Sequence, residues 1–154
     1  MEVQQANSYL LQHVSSVIDR QLDQILQEQL GIGQSQAKIM QILRTQQQVT
    51  QRKLADSLGQ TEASISRQVK ILLAGGFLTS QINPKSRREH SIVLTPKGIK
   101  VSDAAQGVID RYTRSLFGTL TDKEQKQLNE MLVRVHADTC QPGKLTACDH
   151  PYAL

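Results

Sequence analysis

From Val3 to Leu30 the apolar residues return at helical spacing: Leu10, Val14, Val17/Ile18, Leu22 and Ile25/Leu26. No Gly or Pro interrupts them before Gly31. Residues three and four apart share one face of a helix, so this pattern predicts one long helix with a single apolar stripe. It is more helix than a small domain needs, and the stripe predicts packing against another subunit. Gly31-Ile32-Gly33 ends it. Ser35 can cap a second helix reaching Thr45, with Ile39, Ile42 and Leu43 inward. A polar turn, Gln46-Gln47-Gln48, follows. Thr50 stands where an N-cap belongs, before a short helix Gln51–Leu58 that Gly59 closes. Thr61 caps the next, which runs to Ala74 and ends at Gly75-Gly76, where a left-handed residue costs no Cβ clash.

Strand character is confined to Phe77–Gln81 and Ser91–Leu94. The residues between, Ile82–His90, are polar and basic and contain Pro84, which predicts a loop. Thr95-Pro96 then opens a fifth helix, with Thr as N-cap and Pro at the first helical position, where its missing N–H costs nothing. Val101, Ala104/Ala105, Val108, Tyr112 and Leu116 carry it to Phe117, and Gly118 breaks it. Thr121-Asp122-Lys123-Glu124 reads as a capping box for a last helix with Leu128, Met131/Leu132 and Val135 on one face. Residues 139–154 hold Pro142, Gly143 and Pro151 and are expected to be irregular.

Charge changes this picture most. Thr50–Lys100 holds nine Lys or Arg against three acids, a net of +6, whereas the whole chain is +4, so everything outside that window is net −2. A compact basic third on an otherwise mildly acidic chain is suited to meeting a polyanion. Composition narrows the class further. No run approaches the roughly 18 apolar residues of a membrane span, and the start, MEVQQANSYL, lacks a basic and an apolar block. Two cysteines near the C-terminus do not make a disulfide framework. A cytoplasmic protein without membrane association is expected.

Within the basic third, Leu54 and Leu58 lie one turn apart with the small Ala55 beside them, and Ile65, Val69 and Leu72 form the inward stripe of the next helix. Two helices crossing closely around a turn glycine make a helix-turn-helix. At about 100° per residue, the face opposite the stripe carries Ala63, Ser64, Arg67 and Lys70, flanked by Ser66 and Gln68. Small residues at its N-terminal end let a helix enter the major groove, and Arg can pair bidentately with a guanine edge. Thr50, Gln51 and Thr61 sit at helix N-termini, where backbone N–H groups favour phosphate. Arg67 and Lys70 alone would equally suit an ordinary solvated face. The adjacent loop shifts the balance, because Lys85, Arg87, Arg88 and His90 crowd like charges that an anion would relieve. Such a tip can track phosphates or enter a minor groove.

Helix-turn-helix, strand, basic loop, strand and Leu94-Thr95-Pro96-Lys97-Gly98, in that order, resemble the MarR family of winged-helix regulators. The resemblance runs from about Ile32 to the end of the last helix and is strongest over LADSLGQTEASISRQVKILLAGGFL and LTPKG. It implies a mainly α fold: a winged helix-turn-helix with a two-stranded wing, carried on long N- and C-terminal dimerisation helices. The implied division is 1–32 for the N-terminal dimerisation helix, 33–98 for the DNA-binding domain, 99–138 for the C-terminal dimerisation helices, and 139–154 for the tail. It implies that Thr61, Ser64, Ser66 and Arg67 hold recognition-helix positions and that Arg87 and Arg88 are the wing arginines. The family's wing commonly reads Asp-Pro-x-Asp-Arg-Arg, where this chain has Asn83-Pro84-Lys85-Ser86-Arg87-Arg88. Lys70 also stands where the family commonly has an acid. Both departures make this version more cationic, and stronger, salt-dependent non-specific DNA binding is expected.

The expected function is therefore a sequence-specific transcriptional regulator, a repressor rather than an activator. It would bind a pseudo-palindromic duplex as a homodimer and be relieved by a small-molecule effector. Family pockets lie between dimer helices and winged domain; Tyr9, His13, Arg20 and Tyr112 are the polar and aromatic residues available, but on long helices they suit a solvated edge equally well and none is assigned. His136, Cys140, Cys148 and His150 could fill a tetrahedral metal site, or the two thiols could pair. The Cys-x7-Cys spacing fits no zinc template, so no cofactor is expected, and a metal- or redox-gated regulator using Cys140 and Cys148 is the alternative within this class. The alternative outside it is a winged-helix protein-interaction module. With no phosphate loop, nucleophile elbow or His-Glu-x-x-His, no enzyme is expected.

Overall fold

The computed structural model describes residues 2–46, 49–83 and 86–139. Six helices and one hairpin follow in order: α1 (Val3–Leu30), α2 (Gln34–Thr45), α3 (Gln51–Leu58), α4 (Glu62–Ala74), β1 (Leu78–Asn83), β2 (Ser86–Leu94), α5 (Pro96–Phe117) and α6 (Asp122–Thr139). This is the winged helix-turn-helix order expected from the pattern. The chain divides into two compact units inside α5, Met1–Asp110 and Arg111–Leu154.

The first unit has one core. Leu26 of α1, Ile32, Ile39 and Met40 of α2, Leu54 of α3, Ile65, Val69 and Leu72 of α4, and Leu78 and Ile92 of the hairpin are all buried together, with Ala105 and Val108 of α5. At about 1.5–3 kcal/mol per fully buried aliphatic side chain, this cluster is what fixes the short helices, which would not persist alone. The α1 stripe divides: Leu22 and Leu26 are buried, whereas Leu10 and Val14 remain 58% and 41% exposed.

Two local expectations need correction. α2 begins at Gln34 rather than after a Ser35 cap. Its start is satisfied in part from outside, since Asp23 Oδ1 accepts the Gln34 N–H at 2.8 Å, and in part by its own Gln36, whose Oε1 accepts the Gly33 N–H at 3.1 Å. Second, β1 and β2 extend well into the segment expected as a loop, pairing from Leu78↔Leu94 to Ile82↔His90 and Asn83↔Ser86 across a bulge. The hairpin's apolar packing comes from Leu78 and Ile92 at its core end, so the expected loop segment carries no apolar alternation that would announce a strand. Before α3, Val49 forms an isolated bridge to β2: its carbonyl accepts the Ile92 N–H at 3.3 Å and its side chain is fully buried.

In the second unit, α6 opens on the expected capping box: Thr121 Oγ1 accepts the Glu124 N–H at 3.4 Å, and Glu124 Oε2 accepts the Thr121 N–H at 2.8 Å. The Thr121 N–H, and then the Thr121 hydroxyl, which donates to the same Oε2 at 2.7 Å, hold the Glu124 carboxyl below its ordinary pKa. α6 extends to Thr139, one residue past the expected boundary, with Met131 and Val135 each 53% exposed. Among the described residues no helix is long and apolar enough to cross a membrane.

Candidate nucleic-acid interface

Two short helices and their turn build the site. Thr50 caps α3 by accepting the Lys53 N–H at 3.2 Å. Gly59 ends it at φ 60°, a left-handed conformation that side chains with a Cβ disfavour. Two residues on, Thr61 starts α4 by accepting the Ser64 N–H at 3.2 Å. Both caps leave the hydroxyl proton free to donate outward, beside N–H groups at the positive end of a helix.

Burial of Ile65, Val69 and Leu72 fixes the roll of α4. The face turned away carries Ala63, Arg67 and Lys70, all exposed. Ser66 is half-buried on its flank. Ser64, expected on the open face, is half-buried too, and its Oγ donates to Gln60 Oε1 at 3.3 Å. Ile71 adds an exposed aliphatic side chain, 54% accessible, beside Arg67. Gln51, half-buried, is the first residue of α3.

Arg87 and Arg88 are residues of β2, in the stretch between Ser86 and His90 where the register with β1 shifts. Lys85 lies outside the described residues, as do Cys140, Cys148 and His150. His136 is on the last turn of α6, so the four-residue Cys/His grouping cannot be assembled from the described chain.

Lys97 contributed to the charge excess in the sequence but does different work. Its Nζ donates to the Gly75 carbonyl at the end of α4, 2.7 Å away, and lies 4.5 Å over the Phe77 ring. Thr95 Oγ1 donates to the Gly76 carbonyl at 2.7 Å and accepts the Gly98 N–H at 3.0 Å. The Leu94-to-Gly98 stretch is thus a clasp between the end of α4 and the start of α5. Sequence reasoning placed its cap but not this role, because the partners are carbonyls some twenty positions away.

Comparison with known proteins agrees with this geometry. Residues 32–90 match the model of the MarR family. The HTH-type transcriptional regulator BilQ of Clostridium symbiosum (strain WAL-14163) is 29% identical over 86 residues, 56% of this chain and 60% of its own. The match thus spans less than two thirds of that relative. MepR, a transcription regulator of the Staphylococcus aureus multidrug efflux pump MepA, superposes with a TM-score of 0.70 at 25% identity, covering 86% of this chain and 97% of its own. The S. aureus MepR–DNA complex gives 0.73 at 24% identity, covering 86% and 95%. A MarR/EmrR family regulator from Acinetobacter sp. ADP1 gives 0.77 at 19% identity, covering 90% and 98%. Sequence over residues 32–90 is thus similar to the MarR family, and the architecture over most of the chain is the winged helix-turn-helix fold of these solved structures.

Proposed function

We propose that the protein is a transcriptional regulator that binds duplex DNA as a homodimer, one α4 helix in the major groove of each half-site. The observation that carries the reading is the outward face of α4: Arg67 and Lys70 stand exposed opposite a fully buried stripe, behind a capped helix N-terminus. Arg67 would pair with a guanine edge, Lys70 with phosphate, and Thr50, Gln51, Thr61 and Ser66 would contribute polar contacts at the groove rim. Lys85, Arg87 and Arg88 would follow the backbone or the minor groove. MepR, of the same fold, has been solved in complex with DNA, which supports the DNA-binding reading.

The exposed apolar residues Leu10, Leu11 and Val14 on α1, and Met131, Leu132 and Val135 on α6, support dimerisation through the terminal helices. The intended division is therefore 1–32 and 99–138 for dimerisation and 33–98 for DNA. Repression follows if the dimer overlaps a promoter. A small-molecule effector would act by favouring a spacing of the two winged domains that DNA does not.

Charge reversal tests this. Arg67→Glu is expected to weaken binding to a selected duplex by about 10- to 100-fold, the scale of one lost bidentate pair. The sedimenting mass of the dimer should not change. Unchanged DNA affinity would instead favour the protein-interaction module.

A further inference from the structure

α2 meets its neighbours through polar side chains at its first turn as well as through the core. Gln36 is the centre of this arrangement. It is only 8% exposed, and both ends of its amide are engaged. Its Oε1 accepts the Gly33 N–H at 3.1 Å, at the exit from α1. Its Nε2 donates to Gln68 Oε1 on the recognition helix, also at 3.1 Å. The neighbouring Ser35 makes a second strut: Gln60 Nε2 donates to Ser35 Oγ at 3.3 Å, and Gln60 Oε1 accepts from Ser64 Oγ at 3.3 Å. α4 is thereby held at its first turn through Ser64 and a turn later through Gln68. Two tethers one helical turn apart define a direction, which hydrophobic contact by itself does not, since apolar packing is non-directional. On its other side the same turn of α2 is tied to α1, because Asp23 Oδ1 accepts the Gln34 N–H and Asp19 Oδ1 accepts from Gln34 Nε2, both at 2.8 Å.

We propose that Gln36 is a positioning residue for DNA recognition: it sets the angle at which α4 leaves α2, and so governs sequence discrimination rather than general affinity. The proposal rests on α4 being the DNA-reading helix. Gln36 itself faces the interior and touches no DNA. A tilt of α4 moves Arg67 off a base edge, whose hydrogen bonds are directional, while the attraction of Arg67 and Lys70 to phosphate falls off slowly with distance.

The test uses the full-length protein and the duplex that wild type selects most strongly from a randomised pool, against a scrambled duplex of equal length. Gln36→Met keeps length and helix propensity while removing both hydrogen bonds. It is expected to lower the selected-to-scrambled affinity ratio about tenfold, the scale of one mismatched base pair. Scrambled-duplex affinity and salt dependence should hold. Gln36→Glu restores an acceptor for Gly33 at the N3 position, where Glu is favoured, and Gln68 can turn its amide to donate; the ratio should return to within about threefold of wild type. A stability loss alone would not change the ratio among folded molecules, which circular dichroism verifies for each variant. An unchanged ratio in Gln36→Met, or no recovery in Gln36→Glu, would overturn the assignment. A wild-type protein that selects no duplex would overturn the DNA-binding reading and this proposal with it.

Discussion

Gly98→Ala tests the clasp between α4 and α5. A Cβ at this position would overlap the Phe77 carbonyl oxygen, with Phe77 C 2.9 Å away and Leu94 Cδ2 3.0 Å away. The carbonyl cannot yield freely, because it accepts the Thr95 N–H at 3.0 Å and the Thr95 hydroxyl at 3.2 Å. Relief therefore requires the first turn of α5 to move off the end of α4, stretching these bonds and that of Lys97 to Gly75. Overpacking costs about 1–3 kcal/mol, and weakening two such hydrogen bonds adds about 1–2 kcal/mol. Replacing Gly by Ala inside a helix returns up to about 1 kcal/mol. The net expectation is a destabilisation of about 2–3 kcal/mol. Urea unfolding followed by circular dichroism, at one fixed protein concentration, measures it. With an m-value of about 1–3 kcal/mol/M, the midpoint should fall by roughly 1–2 M. A midpoint equal to or above wild type would refute the close-approach argument, leaving only the helix-propensity gain.

Other expectations are independent of that clasp. Gly59→Ala meets open space but must adopt φ 60°, so unfolding should report a loss of about 1 kcal/mol from backbone strain alone; no loss would mean the α3–α4 turn is not held left-handed. Glu124 has a lowered pKa, so its cap stabilises α6 above the ordinary carboxylate pKa and is lost as pH falls through the lowered value. The protection of the Thr121 and Glu124 amides, relative to their intrinsic exchange rates at each pH, should fall across that acid range in wild type, and this fall should be absent in Glu124→Gln. The cationic window should make log K for scrambled duplex fall steeply and linearly with log salt, and a flat plot would count against phosphate contact through this third of the chain.

Elements whose signal is local were legible in the sequence. α3, α4 and α5 carry caps, and together with α1 they carry terminators and an apolar stripe within their own residues; their bounds match the structure at Leu30, Leu58, Ala74 and Phe117. What depended on distant partners was not legible. The start of α2 is set by Asp23, eleven positions before Gln34, and no pattern within α2 announces it. Val49, between a polar turn and a helix cap, carries no pattern of its own and is core because Ile92 comes beside it. The hairpin's length escaped because its polar residues mimic a loop. At the interface, Arg67 and Lys70 followed from helical geometry once the buried stripe was identified. The engagement of Ser64 with Gln60, and of Lys97 with Gly75, required knowing where the neighbouring turns lie.

The central claim, that α4 and the hairpin read duplex DNA as part of a dimer, is tested most directly by footprinting the purified wild-type protein on DNA flanking its own gene. The expected result is one bounded protected interval with two symmetric half-sites about one helical turn, or a multiple, apart, erased by Arg67→Glu. Protection that is absent at every protein concentration, or that survives Arg67→Glu unchanged, would contradict it.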